Sequence, residues 1–369
     1  MTMRPRLRDL GITIGAMRAG PLNAITDVPG VRVGHTTVIH GDGELRVGEG
    51  PARTGVTAIH PHEGSAFSSL VPAAIQVLNG AGEITGRSQV DEFGVLETPI
   101  LITNTLSVGA VHQAGIDWIA RHEPTLGVQH FVIPIVAETF DGYLNDIVGQ
   151  HVTAEHVWSA LDAASDGPVP EGNVGGGTGM RLFGYKGGIG TSSRIVDVDD
   201  QQYTVGVLVQ GNFGLRQDLL VDGVPVGREL SQTPDPETAK DGSVIVVIGT
   251  DAPLSDRQLA RLCRRGMLGL GRAGAVGRNS SGDLLLAFSN AKENRVDRFT
   301  TDAVRSIRQL ADTRMDDLFV ATVEAAEEAV LNALVAAESM TGRDGHLVES
   351  IPHSELVEIM KRHGRLQES

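Results

Sequence analysis

The sequence predicts a layered fold of mixed α and β structure, of α/β or α+β type. Three observations lead there. Short apolar runs of strand length alternate with stretches of helical periodicity along the whole chain. Glycine is abundant, at 46 of 369 residues, while aromatics make up only 4%. A core so poor in rings must be filled by Val, Ile, Leu and Ala, and frequent glycine signals tight connections or close backbone approaches. Nothing repeats at a fixed period.

Taken in chain order, strand-type runs fall at Val31–Ile39, Gly55–Ile59, Pro99–Thr103, Phe131–Val136, Thr204–Val209, Val244–Ile248 and Leu284–Phe288. Each is five to nine residues of alternating or continuous apolar character, as a half-buried or buried strand requires. Helical patterns fall at Ser68–Leu78, Val108–Arg121, Ala154–Ala164, Ser255–Met267 and Asp316–Met340. In the last, Leu318, Val323, Ala326, Val330, Leu334 and Val335 lie near helical spacing, and Gly342 supplies a stop. The stretch Val221–Gly242 breaks the alternation. It carries three prolines, acidic residues and no apolar periodicity, and reads as a surface linker.

The bulk numbers narrow the function. A formal net charge of −15 argues against general affinity for nucleic acid or an anionic membrane. No stretch has the length of a membrane span, and the N-terminus lacks the apolar run of a signal peptide, so the expected compartment is the cytoplasm. The single cysteine, Cys263, sits in an apolar helical pattern with Leu259 and Leu262 and reads as a packed thiol.

The junction Asp241-Gly242-Ser243 is the most informative in the chain. The linker runs straight into SVIVVIG, an apolar strand that begins with serine. A Ser243 hydroxyl held against the Gly242 carbonyl can attack it, and the N-to-O acyl shift gives an ester that water hydrolyses. Glycine leaves that carbonyl open. The product carries a free α-amine on Ser243, with an ordinary pKa of about 7.7–8.0, which suits a general base near neutral pH.

Other segments supply further candidates. In Gly277–Asn290, Ser281 and Asp283 occupy alternate positions before a strand and could address one site. Ala137–Ile147 carries Glu138, Asp141, Asn145 and Asp146, and a carboxylate at a strand end could bind a substrate ammonium. The glycine-dense stretch Val174–Ser193 lacks the endings of nucleotide-binding loops and reads as a loop packed closely around a site, with Thr178 and Lys186 as polar groups. His60 and His62 read as turn residues. The sequence contains no HExxH, no Cys–His constellation and no Gly-x-Ser-x-Gly, which leaves neither a zinc-peptidase nor an ordinary α/β-hydrolase signature.

Together these segments resemble one family, the self-processing serine aminopeptidases that include L-aminopeptidase/D-esterases and β-peptidyl aminopeptidases. The resemblance runs through NAITDVPGVRVGHTTV, AETFDGYLNDI, VGGGTGM, KGGIGTSSR, VLVQGNFG, the DGS junction and SGDLLLAFSN, in that order. It implies a single catalytic domain with a four-layer α-β-β-α sandwich, like N-terminal-nucleophile hydrolases but differently connected. It implies self-cleavage into 1–242 and 243–369, assembly into a homo-oligomer (a tetramer of processed α/β pairs), and hydrolysis of small peptides, amides or esters bearing a free amine, whether of α-L, D or β amino acids. No cofactor or metal is implied.

Residue by residue, the resemblance makes Ser243 the nucleophile, Ser281 and Asp283 its hydroxyl and acidic partners, Asn212 of QGNFG an oxyanion donor and Glu138 the ligand of the substrate amine. Where other members carry Glu, Asp283 is one methylene shorter. Where some members carry an oxyanion tyrosine, this chain has Phe140, with Tyr143 three residues on. Losing such a donor costs about 2.7–4 kcal/mol of transition-state stabilisation. Tyr143 or a backbone N–H must substitute, or the enzyme is slower. Self-cleaving acyltransferases of ornithine acetyltransferase type form the competing class, and Ser243 in place of their usual threonine counts against them. An unprocessed peptide-binding scaffold is the other alternative.

Overall fold

The computed structural model describes residues 5–230 and 242–366. Two sheets stack face to face. The smaller has four strands in the order β1 (Arg32–His40), β2 (Ala52–His60), β5 (Ile100–Asn104) and β6 (Ile135–Thr139), with only the β5–β6 pair parallel. The larger runs β13 (Val296–Asp297), β3 (Ser69–Gly80), β12 (Gly282–Ser289), β11 (Ser243–Thr250), β10 (Gln201–Asn212) and β9 (Gly188–Val198), with the short β4 (Val95–Leu96) paired to β3. Its one parallel pair is β11–β12. Two small hairpins, β7 (Arg181–Leu182) with β8 (Tyr185–Lys186) and β14 (Met340–Thr341) with β15 (Leu347–Val348), lie outside these sheets.

Helices cover both outer faces. On the smaller sheet lie α2 (Val108–His122) and α3 (Ala154–Asp162); on the larger lie α5 (Asp256–Ala273) and α6 (Asp316–Val335). The shorter α1 (Arg87–Phe93), α4 (Val226–Leu230) and α7 (His353–Arg362) fill the periphery. This is the four-layer α-β-β-α sandwich. Strand alternation produces it directly. Val244, Val246 and Ile248 of β11 join the cluster under α5 and α6, while Ile245 and Val247 join the cluster between the sheets.

The ends of α5 carry clear local signals, whereas α6 stops at Val335, short of the stop expected at Gly342. Ser255 caps α5 by accepting from the Gln258 N–H, and Gly274 closes it at a φ of 110°. In α6 the apolar stripe is interrupted by buried acids that have partners. The Arg194 guanidinium, fully buried, meets Glu324 at 3.0 Å and Glu328 at 2.7 Å, and Arg8 meets Glu328 at 2.7 Å. The N-terminal segment is thereby tied to α6, and each buried charge has its counter-charge.

Four expectations need correction. Ser68–Leu78 is strand β3 and not a helix: Val71, Ala73 and Ile75 face the inter-sheet cluster while Ala74 faces the helices, a period of two. The second half of the glycine-dense stretch is strand β9, where the expectation was a loop. A Cβ on Gly190 would lie 2.0 Å from the Ala329 carbonyl of α6, so the glycine lets the helix sit directly on the strand. The run Phe131–Val136 enters its strand only at Ile135. The linker over Val221–Gly242 begins ordered, because Val221, Val224 and Val226 are buried and α4 follows; residues 231–241 lie outside the described residues. Cys263 is the packed thiol expected, its pKa pushed up to about 12 by burial. Among the described residues no helix is long and apolar enough to cross a membrane.

Candidate active site

Ser243 opens β11 at one end of the larger sheet, between Asn212 of β10 and Gly282 of β12 in the ladder. By alternation it shares the face of Ile245 and points between the sheets. There the Phe140 backbone N–H donates to its Oγ at 3.4 Å, across from the end of β6. The residue before it, Gly242, has its carbonyl held by the Gly282 N–H at 3.1 Å. A Cβ on Gly242 would meet the Phe213 backbone at 3.1 Å, tighter than ordinary contact, so the glycine keeps the approach to this peptide open.

Asn212 is oriented from both ends. Its Oδ1 accepts from the Arg181 N–H at 2.8 Å and its Nδ2 donates to the Phe140 carbonyl at 2.9 Å. An amide nitrogen has two hydrogens, so one remains to serve a ligand. Phe140 therefore contributes backbone groups to both Asn212 and Ser243, while its ring stays 45% exposed. Tyr143 does not fill the gap left by the phenylalanine. Its ring stacks on His346 with centroids 4.4 Å apart and lies under the Arg181 guanidinium at 4.0 Å, and among the described residues it makes no hydrogen bond to Ser243 or Asn212.

Glu138 stands at the end of β6 and is almost wholly buried. Its Oε1 accepts from the Glu83 N–H at 3.0 Å, and its Oε2 accepts from the Thr105 hydroxyl. Burial pushes its carboxyl above the ordinary glutamate range, against the pull of those two donors. A carboxylate offers about four acceptor positions, so capacity remains for a cationic ligand, which would also offset the desolvation. Thr105 was not legible as a site residue, although a polar Asn-Thr pair after the Ile100–Asn104 strand marks a strand end where function collects.

Ser281 and Asp283 flank Gly282 and turn toward each other, with the Ser281 hydroxyl donating to Asp283 Oδ1 at 2.5 Å. Burial raises the Asp283 carboxyl, and the serine hydroxyl opposes the shift. Asp283 shares its face with Leu285, on the helix side, so the pair lies behind the Gly242–Ser243 peptide and not beside the Ser243 hydroxyl. Among the described residues neither side chain bonds to Ser243.

The rest of the acidic segment has structural partners. Asp146 bonds to His151 at 2.9 Å and Asp141 accepts from Asn145 at 2.9 Å. His60 and His62 each bond to a backbone carbonyl, of Leu161 and Ser69, and among the described residues no cluster of His, Cys, Asp or Glu has the grouping to hold a metal. Lys186 is fully buried, with Nζ donating to the carbonyls of Met180 and Gly187 at 2.7 Å each, which fastens the glycine loop beneath Asn212.

Burial pushes the Asp141 carboxyl up to about 7. The folded form then holds a proton between the unfolded value, about 3.9, and pH 7. Its contribution to stability is complete below the unfolded pKa and is lost as pH rises through 7. The melting temperature of Asp141→Asn is therefore expected to fall less between pH 5 and 7 than that of the wild type, as followed by differential scanning fluorimetry. Equal slopes would contradict the shift.

Comparison with known proteins identifies the family and agrees with the fold. The family model described as peptidase family S58 matches residues 23–348. The chain is 46% identical to a β-peptidyl aminopeptidase BapA of Sphingosinicella microcystinivorans, over 98% of this chain and 93% of that one. Among solved structures, a Burkholderia sp. β-aminopeptidase superposes with a TM-score of 0.89 at 45% identity, covering 98% of this chain and 99% of the other. The L-aminopeptidase D-Ala-esterase/amidase of Ochrobactrum anthropi, described as a new variant among the Ntn hydrolase fold, superposes with a TM-score of 0.92 at 42% identity, covering 99% and 100%. A family match over most of the chain, likeness along nearly its full length and a shared sandwich place the protein in peptidase family S58, as a serine aminopeptidase.

Proposed function

We propose that this aminopeptidase matures by cutting its own Gly242–Ser243 bond and then releases N-terminal residues, β-amino acids among them, through an acyl-enzyme on Ser243. The observation that carries the reading is the convergence on Ser243: a nucleophile at the start of a buried strand, a Phe140 N–H directed at its Oγ, and Asn212 anchored to the same Phe140.

In maturation the Ser243 Oγ attacks the Gly242 carbonyl carbon, and the Gly282 N–H bonded to that oxygen stabilises the charge that forms there. Collapse breaks the C–N bond and leaves an ester on Oγ. Water hydrolyses it, giving a Gly242 carboxylate and a free Ser243 α-amine. In turnover the same Oγ attacks the carbonyl of the substrate's first residue, and the α-amine accepts its proton and passes it to the leaving amine. The Phe140 N–H and the free Asn212 N–H serve as the oxyanion donors, in place of a tyrosine hydroxyl. Water then attacks the acyl-enzyme: the α-amine takes a proton from it and passes that proton to the departing Ser243 Oγ, which releases the acid and restores both the hydroxyl and the free amine. Ser281 and Asp283, behind the cut peptide, orient that amine.

Glu138 holds the substrate ammonium in this scheme. For a substrate such as β-alanyl p-nitroanilide, Glu138→Gln is expected to raise KM by about 10- to 100-fold with a smaller effect on kcat, the loss of one charged hydrogen bond. An unchanged KM would remove Glu138 from amine binding. Acceptance of the β-alanyl substrate is supported by the likeness to β-peptidyl aminopeptidases. Turnover of L-alanyl but not β-alanyl p-nitroanilide would restrict the scheme to α-residues.

A further inference from the structure

A second cleft lies at the opposite end of the smaller sheet from Glu138. Its volume is about 380 Å³, within the range of small-ligand sites. Pro99 on its wall stands four residues along β5 from Thr103, the register partner of Glu138, so the two sites are about 13 Å apart along the strand.

The cleft contains a cation that meets no counter-charge among the described residues. Arg32, the first residue of β1 and the register partner of His60, lines it. The Arg32 Nε is shielded from solvent and lacks a hydrogen-bond partner, and among the described residues its guanidinium makes no hydrogen bond or ion pair. A shielded Nε donor is costly to leave unmet, and the rest of this half-buried guanidinium faces the cleft that it lines. His60 does not compete as a cation, since burial pushes its pKa down to about 4 and its Nε2 is bonded to the Leu161 carbonyl.

The remaining walls specify what would meet Arg32. Trp118, Phe67 and Pro99 supply apolar surface. Glu123 and Asp162 bring carboxylates to the rim, where they accept from the Ser65 hydroxyl and from the Trp118 indole at 2.8 Å. Glu63 is occupied by Arg295 at 3.2 Å. Arg32, two carboxylates with unused acceptor positions and an apolar wall together disfavour a dianion such as phosphate. They match a zwitterion with an apolar side chain.

We infer that this cleft binds a free apolar amino acid, its carboxylate on Arg32, its ammonium toward Asp162 or Glu123, and its side chain against Trp118 and Phe67. Such a molecule is the class of product that the catalytic site releases, so the cleft would read the accumulation of product; that regulatory meaning rests on the proposed function, whereas the binding itself does not.

The test is isothermal titration calorimetry of the purified protein with L-leucine. Saturable binding is expected, weakened at least tenfold in Arg32→Met and unchanged in Glu138→Gln. On the wild type, leucinol, which lacks the carboxylate, and 4-methylpentanoate, which lacks the amine, should each bind at least tenfold more weakly than leucine. The inference is overturned if leucine shows no saturable binding, if Arg32→Met binds like the wild type, if either analogue binds as tightly as leucine, or if binding disappears in Glu138→Gln. Because the readout needs no turnover, a failure here is separable from a failure of the Ser243 mechanism, which would appear as intact, inactive protein that still binds leucine.

Discussion

Ser243→Ala is expected to remain a full-length chain with no detectable aminopeptidase activity. Both reactions proposed for this protein begin at one oxygen, and alanine removes it. The loss should not come from unfolding. The methylene stays in place, and the deleted Oγ gives up only a 3.4 Å bond from the Phe140 N–H at the margin of a continuous strand. A change of that kind alters stability by about 1 kcal/mol or less. Thermal melting should therefore match that of an uncut chain, while gel mobility and p-nitroanilide hydrolysis report the two lost reactions. Ser243→Cys separates chemistry from geometry, since a thiol in the same position should process slowly and not stop. A Ser243→Ala protein that is cut normally at Gly242 would remove Ser243 from maturation. One that hydrolyses substrate would remove it from turnover.

Asn212→Ala is expected to lower kcat by about 10²- to 10³-fold with little change in KM, the usual effect of deleting one oxyanion donor. The reason is local. Asn212 is held by the Arg181 N–H and the Phe140 carbonyl, so its remaining amide hydrogen has a fixed direction. A donor fixed before reaction needs no reorganisation when charge develops. The same variant should still mature, because the Gly242 carbonyl is served by the Gly282 N–H and not by Asn212. Steady-state kinetics beside intact mass would read both halves. A loss in kcat below fivefold would take Asn212 out of the oxyanion site, and a block in maturation would show that one donor set serves both reactions.

How much of this was legible in the sequence depends on where the information is stored. The apolar strand beginning at Ser243 and the start of α5 at Ser255 were readable because side-chain type alone carries the signal. Strand β3 was not. Its Pro72, Ala73 and Ala74 are small, and its leucines and valines fall at helical spacing by coincidence, so only packing on both faces reveals the period of two. Strand β9 failed for a related reason. A glycine such as Gly190 is dictated by the α6 backbone lying against it, and that neighbour is more than a hundred residues away.

The candidate site divides in the same way. Ser243, Glu138, Asn212, Ser281 and Asp283 carry their chemistry in side chains, and the sequence motifs pointed to each. The donors from Phe140 and Gly282 are backbone N–H groups, which every residue but proline possesses, so no residue type announces them. The ring at Phe140 drew attention to a missing hydroxyl, while the backbone donor proposed to replace it belongs to the same residue. Register decided the rest. Pairing of Ser243 with Gly282 places Ser281 and Asp283 behind the Gly242–Ser243 peptide, where alternation read from the sequence alone could not distinguish one face from the other.

The most direct test of the account is the intact mass of the purified wild-type protein, with N-terminal sequencing of each species. Cutting after Gly242 divides the 39.0 kDa chain into fragments of about 26 and 13 kDa, in proportion to their lengths. Self-cleavage at this bond yields these two masses and a smaller fragment that begins Ser-Val-Ile-Val. A full-length chain that persists on long incubation while hydrolysing substrate would contradict it, because Ser243 would then have no free amine with which to act.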